Sequence, residues 1–126
     1  MSDAWIVAGA RTPFTRATKG ALANLRSDEL LAGLFRELMG RVPANAVDLL
    51  DEVIVGCAYP EGEQGRNVAR AIALGAGLPD AVSAMTLTRL CASSLEATAI
   101  ACAKVRLGEA SLALVGGMES MSRIPL

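Results

Sequence analysis

Histidine is missing from all 126 residues, and with it the side chain that most often acts as a base or metal ligand near neutral pH. An HExxH stretch is therefore impossible, no cluster of carboxylates replaces it, and no metal site is expected. Aromatic residues are almost as scarce, with one Trp, one Tyr and two Phe. The hydrophobic fraction of 52% is thus carried mainly by Ala, Leu, Val and Ile, and mean hydropathy is +0.40. A chain this aliphatic reads as tightly packed and as sharing its core with further protein.

Excess charge of either sign is also absent. Twelve basic residues face 13 acidic ones, for a net charge of -1, which leaves no footprint for nucleic acid or an anionic membrane. No apolar run approaches the roughly 18 to 20 residues needed to span a bilayer. The opening MSDAWIVAGARTPF has an acid at Asp3 and only a short apolar core, Ala4 to Ala10, before Arg11. It resembles neither a signal peptide nor an Arg-rich transit peptide, so a cytoplasmic protein without cofactor or membrane partner is expected. Three cysteines, Cys57, Cys91 and Cys102, form an odd set without CxxC spacing, which argues against a disulfide framework or a zinc site.

What is present is an alternation of strand-like and helix-like stretches over one domain's length, residues 1–126. AWIVAG (4–9) is short, apolar and ends in glycine, as a buried parallel strand would. SDELLAGLFRELMG (27–40) places Leu30, Leu31, Leu34, Phe35, Leu38 and Met39 on a helical stripe, with Ser27 as N-cap, Asp28 and Glu29 in the first turn and Gly40 at C′. EVIVGCA (52–58) reads as a second strand and NVARAIALG (67–75) as a second helix, capped by Asn67 and stopped by Gly75. AMTLT (84–88), SSLEATAIACAKVRLG (93–108) and SLALVGGM (111–118) complete the series as strand, helix and strand. This βαβαβαβ order predicts an α/β fold in which a mostly parallel sheet carries helices on both faces, joined by right-handed crossovers. The third helix has no charge from Ala97 to Ala103, so another layer of protein is expected to cover it.

The chemistry-bearing candidates are few. Cys91 lies just past a strand, and Ser93-x-x-Glu96 matches a capping box that would start the third helix two residues beyond the sulfur. Backbone N–H groups and the positive helix end would then face the thiol, favouring its thiolate and offering donors to an oxyanion. Small buried cysteines are common in aliphatic chains, so the residues alone leave packing and nucleophilic catalysis both open for Cys91. Cys57, at a strand end, and Cys102, inside the alanine-rich helix, read as core residues. The glycines of GAGLPD (75–80) follow a helix and make a poor phosphate loop, Gly116 and Gly117 suit a turn, and Arg66 and Arg70 suit a solvated helix face.

Four stretches in this order and spacing, VAGARTPF (7–14), GCAYPEGEQGRNVAR (56–70), TRLCASSLEA (88–97) and GGMESMS (116–122), resemble the thiolases over essentially the whole chain. The resemblance implies an incomplete thiolase-like first half, belonging to an acetyl-CoA C-acyltransferase. YPEGEQG is similar to the degradative 3-ketoacyl-CoA thiolases of fatty acid β-oxidation rather than the biosynthetic acetoacetyl-CoA enzymes. Cys91 matches the family's nucleophile, which takes the acyl group as a thioester, and its backbone N–H matches one oxyanion-hole donor. Acyl-CoA and CoA are then substrates rather than cofactors, and a homodimer or homotetramer is implied. The family usually has Asn where Thr88 stands and Gly where Ser94 stands, differences that bear on substrate choice.

Thiolases are roughly three times longer, and their two catalytic histidines, second cysteine, CoA-binding loop and last strand of the first half match nothing here. The resemblance therefore implies a fragment that is inactive until joined by the C-terminal portion. Competing readings are a sterol-carrier-type thiolase, a ketoacyl synthase, against which EQGRNVAR and GGMESMS argue, and a non-catalytic dimerising module.

Overall fold

The computed structural model describes residues 2–124. Its centre is strand β1 (Leu50–Gly56), whose Val53, Ile54 and Val55 are fully buried. A run that is apolar on both sides of the pleat suits a strand covered on both faces. β1 is flanked in parallel by β2 (Ser83–Leu87) and β3 (Leu112–Gly117), giving the order β2-β1-β3. Val53 sits opposite Ala84 on one side and Leu114 on the other.

Successive β1 side chains feed two layers, as strand geometry requires. Val53 and Val55 join the larger cluster, built with α1 (Ser27–Met39) and α2 (Val68–Gly75) through Leu31, Phe35, Val68 and Ile72. Ile54 turns the other way, onto Ala97 and Ala101 of α3 (Ser93–Leu107). Glu52 shares that face and pairs with Lys104 of α3. Phe35 of α1 reaches the sheet only because position 116 is glycine, where a Cβ would lie 2.6 Å from its ring.

The α/β class and the helices on both faces are as the sequence indicates, with strand and helix limits within two residues of expectation. The first expected strand does not form. Residues 4–9 pair with nothing among the described residues, and Trp5, Ile6 and Val7 are 81%, 84% and 72% exposed. Apolar side chains suit a strand but do not by themselves pair one, and among the described residues the outer edges of β2 and β3 stay without a further strand.

The caps differ too. Arg26, not Ser27, occupies the N-cap of α1, and the buried Ser27 hydroxyl turns inward to donate to Gln64 Oε1 at 3.0 Å. Asn67 does cap α2 by position, yet its side chain donates to the Ala84 carbonyl and accepts from Thr86 Oγ1. Gly75 lies within α2, and the left-handed turn after it belongs to Gly77, at φ +78°. Gly40 closes α1 in right-handed geometry, whereas Gly108 ends α3 at φ +75°.

The expected cover over α3 is not supplied by these residues. Its outward face shows Leu95, 73% exposed, with Ala99 and Ala103.

Phe35 is the largest fully buried side chain and touches sheet and helix layers together. Replacing Phe35 with Ala is expected to cost about 3–5 kcal/mol through lost transfer energy and an unfilled cavity, readable by urea unfolding.

Candidate active site

The three strands end side by side. Gly56 pairs with Leu87 and Gly117, so the exits of β1, β2 and β3 meet at one carboxyl edge. From there β1 leads to α2 on one face and β2 leads to α3 on the other. The strand ends where such connections diverge are the usual ligand position in open α/β sheets. Cys91 lies in the elbow Thr88–Ala92 at this divide, and its side chain is exposed.

The elbow owes its shape to Leu90, which adopts φ +50°. A left-handed non-glycine residue costs roughly 1–2 kcal/mol, so the surroundings must hold it. Ser93 supplies much of that hold: its Oγ accepts from Arg89 N–H at 2.8 Å and donates to the Leu90 carbonyl at 2.5 Å. Ala92 N–H and Ser93 N–H donate back to the carbonyls of Arg89 and Leu90. Thr88 Oγ1 accepts from Leu90 N–H at 3.4 Å and donates to the Ala58 carbonyl at 3.0 Å. These bonds use the amides of residues 89, 90, 92 and 93 and leave the Cys91 amide out.

The expected capping box is thus replaced. Ala92 is the N-cap of α3 and makes no side-chain cap bond, while Ser93 is buried as the first helical residue. Its hydroxyl is committed to the elbow behind it, and Glu96 instead pairs with Arg89 at 3.0 Å.

Two glycines let α3 press onto the strand ends. A Cβ on Gly56 would lie 2.4 Å from backbone atoms of Ser93 and Ser94, and one on Gly117 would lie 2.7 Å from the Ser94 Cβ. Gly116 and Gly117 are therefore packing positions rather than a plain turn. Of the other candidates, Arg66 is exposed at φ +59°, whereas Arg70 donates to the carbonyls of Val82 and Asp80 and so ties α2 to the segment before β2. No group of three or more His, Cys, Asp or Glu among the described residues could hold a metal ion, and no described helix is long and apolar enough to cross a membrane.

Cys57 is 1% exposed, and Cys102 is half-buried on α3. Burial, reinforced by the nearby Glu119 carboxylate, pushes the Cys57 thiol up to about 11. Around it lies a polar cluster that sequence reasoning did not assign. Gln64, fully buried, donates to Glu119 Oε1 at 2.5 Å and to the Tyr59 carbonyl, and accepts from Ser120 N–H at 2.7 Å. Glu119 Oε2 accepts from the amides of Ala58 and Tyr59 at 2.7 and 3.3 Å. Both residues fall inside the YPEGEQG and GGMESMS stretches, and a polar side chain within two residues of a glycine in so apolar a chain was the available signal.

Three outcomes follow from this geometry. Gly56→Ala is expected to reach or exceed the upper end of the roughly 1–3 kcal/mol typical of overpacking, because the clash is with backbone; thermal melting checks it. With limiting iodoacetamide at pH 8, mass mapping is expected to find Cys91 labelled first and Cys57 last. The raised Cys57 thiol keeps its proton in the fold longer than in the unfolded chain. Stability from that group is complete below pH 9 and falls as pH rises through about 11, a decline expected to vanish in Cys57→Ala.

A family model for the thiolase N-terminal domain matches residues 4–126. The chain is 46% identical to the 3-ketoacyl-CoA thiolase of Bacillus subtilis (strain 168) over 126 residues, covering 100% of this chain and 32% of that protein. It is 46% identical to the 3-oxoadipyl-CoA/3-oxo-5,6-dehydrosuberyl-CoA thiolase of Escherichia coli (strain K12), covering 99% of this chain and 31% of the relative. A beta-ketoadipyl-CoA thiolase of Acinetobacter baylyi is 49% identical over the same shares. The chain therefore spans about a third of the length of the curated relatives it matches. With the parallel sheet, the elbow at its carboxyl edge and this match over nearly every residue, the chain belongs to the thiolase family, matching its N-terminal domain.

Proposed function

We propose that Cys91 is the acyl-accepting nucleophile of a thiolase acting on 3-ketoacyl-CoA thioesters. The observation that carries this is the exposed thiol on an elbow whose hydrogen bonds leave the Cys91 amide free to serve an oxyanion. In this reading the Cys91 thiolate attacks the 3-keto carbon. An S–C bond forms, the C2–C3 bond breaks, and the acetyl-CoA enolate takes a proton. CoA thiol then attacks the cysteine thioester, releasing acyl-CoA and returning the proton to sulfur. The names of the relatives support a 3-oxoacyl-CoA substrate class, with simple acyl and dicarboxylic versions among them.

Both steps require proton transfers, each worth on the order of 10² to 10⁴ in rate. These 126 residues offer no imidazole for either. We therefore assign them the nucleophile and its geometry, with acid–base groups supplied by a C-terminal portion. A homodimer or homotetramer and a cytoplasmic setting complete the proposal. A second reading, a non-catalytic assembly module, draws on the bare apolar surfaces at Trp5–Val7 and along α3.

Incubation with acetyl-CoA followed by mass mapping distinguishes the two. The expected result is slow, stoichiometric acetylation of Cys91, lost in Cys91→Ala, with no 3-ketoacyl-CoA cleavage until the C-terminal portion of a thiolase is added. Folded chain that never acylates at Cys91 would leave the assembly reading, and turnover by the 126 residues alone would refute the division of roles.

A further inference from the structure

We propose that Glu119 is a positioning residue for Cys91, acting at a distance through Ala58 and Thr88. This rests on the reading of Cys91 as the nucleophile. Among the described residues, the elbow's side-chain hydrogen bond to the remainder of the carboxyl edge is made by Thr88 Oγ1, which holds Leu90 N–H on one side and the Ala58 carbonyl on the other. That bridge fixes the elbow only if Ala58 itself is fixed. Its residue lies in an irregular loop just past β1, and the Glu119 carboxylate accepts its N–H at 2.7 Å together with that of Tyr59. The same peptide segment is thus held from both ends, amide by Glu119 and carbonyl by Thr88.

Glu119 is in turn anchored more firmly than a surface carboxylate needs to be. Its Oε1 accepts from the fully buried Gln64, whose own oxygen takes Ser120 N–H and the Ser27 hydroxyl. Arg123 grips Glu63 through two nitrogens, fastening the same 117–123 segment to the turn at Gly62–Gln64. A charged acceptor bonded by several N–H groups is among the stronger hydrogen-bonding arrangements. Apart from the weak Cys57 S–H, 3.9 Å from both oxygens, the donors around Glu119 are N–H groups, so an amide in its place would set one NH2 against another N–H whichever way it rotated. A chain of contacts from α1 to the elbow therefore converges on one carboxylate. Its purpose on this geometry is to keep Leu90 in its strained turn and the Cys91 amide fixed in place.

Acylation and alkylation separate this role from general stability. Acylation of Cys91 by acetyl-CoA passes through an oxyanion and depends on where the Cys91 amide points, whereas alkylation by iodoacetamide has no oxyanion. In the acylation the sulfur bonds to the acetyl carbon, the bond to the CoA sulfur breaks, and the thiol proton passes to CoA. Thr88→Val and Glu119→Gln are each expected to slow acylation about tenfold or more, while changing alkylation less than about twofold. Thr88→Ser, which keeps the hydroxyl, is expected to recover most of the rate lost in Thr88→Val. Equal loss in both reactions, or no loss in either, would overturn the proposal. Should one variant fail to fold by circular dichroism, the other and Thr88→Ser decide. Should wild-type chain accept no acetyl group, the nucleophile reading fails, and amide hydrogen exchange over residues 89–93 decides the positioning claim. There, exchange about tenfold faster in Thr88→Val with the β1 amides unchanged is expected, and unchanged exchange would overturn it.

Discussion

The missing side chain at Gly56 is the constraint around which the rest is arranged. Gly56 ends the central strand, pairs with the last residues of both neighbours, and lies directly beneath the backbone of Ser93 and Ser94. Any larger residue would lift the first turn of α3 off the sheet. With glycine there, α3 begins in contact with β1, and the five residues between β2 and α3 must turn sharply to reach it. Leu90 absorbs that turn at φ +50°, and Cys91 is the next residue. The exposed thiol is thus a consequence of close packing beneath it, and the elbow's strain is offset by contacts on the strand ends.

Much of this was legible from the sequence, because burial leaves a pattern. VIV in β1 and the leucine stripe of α1 report what lies against them, and their elements form where expected. Polar side chains with several possible partners are different. Ser27, Asn67 and Ser93 each stand where a cap belongs by local rules, yet each spends its hydrogen bonds on a neighbour far along the chain or on the elbow. Capping preferences describe a helix in isolation. Here a tertiary partner within 3 Å wins. Gln64 and Glu119 were illegible for the same reason, since their meaning lies in a meeting across more than fifty positions. The AWIVAG stretch failed in the opposite sense, with composition adequate for a strand and no strand paired beside it.

Composition also foretold surfaces that these residues do not cover. A helix of Ala, Thr, Ile and Cys can bury only one stripe against a sheet, and α3 buries Ala97 and Ala101 while Leu95, Ala99 and Ala103 face outward. Matching an apolar helix to one sheet leaves about half its circumference without a partner. The chain's share of its relatives, about a third, accords with a molecule whose layers are completed by more protein.

The two departures from the family pattern, Thr88 and Ser94, find physical terms in the same elbow. Thr88 needs one donor and one acceptor to bridge Ala58 and Leu90, and a single hydroxyl provides both. Ser94 brings a Cβ toward β3, and the glycine at 117 leaves room for it. Thr88 thereby helps to hold the turn that presents Cys91, and both residues line the surface around the thiol, since each is exposed beside it. On the proposed reading of Cys91, proton transfer is separable from this hold. The elbow fixes where the sulfur and its amide stand, and an acid–base group from elsewhere has only to reach that point.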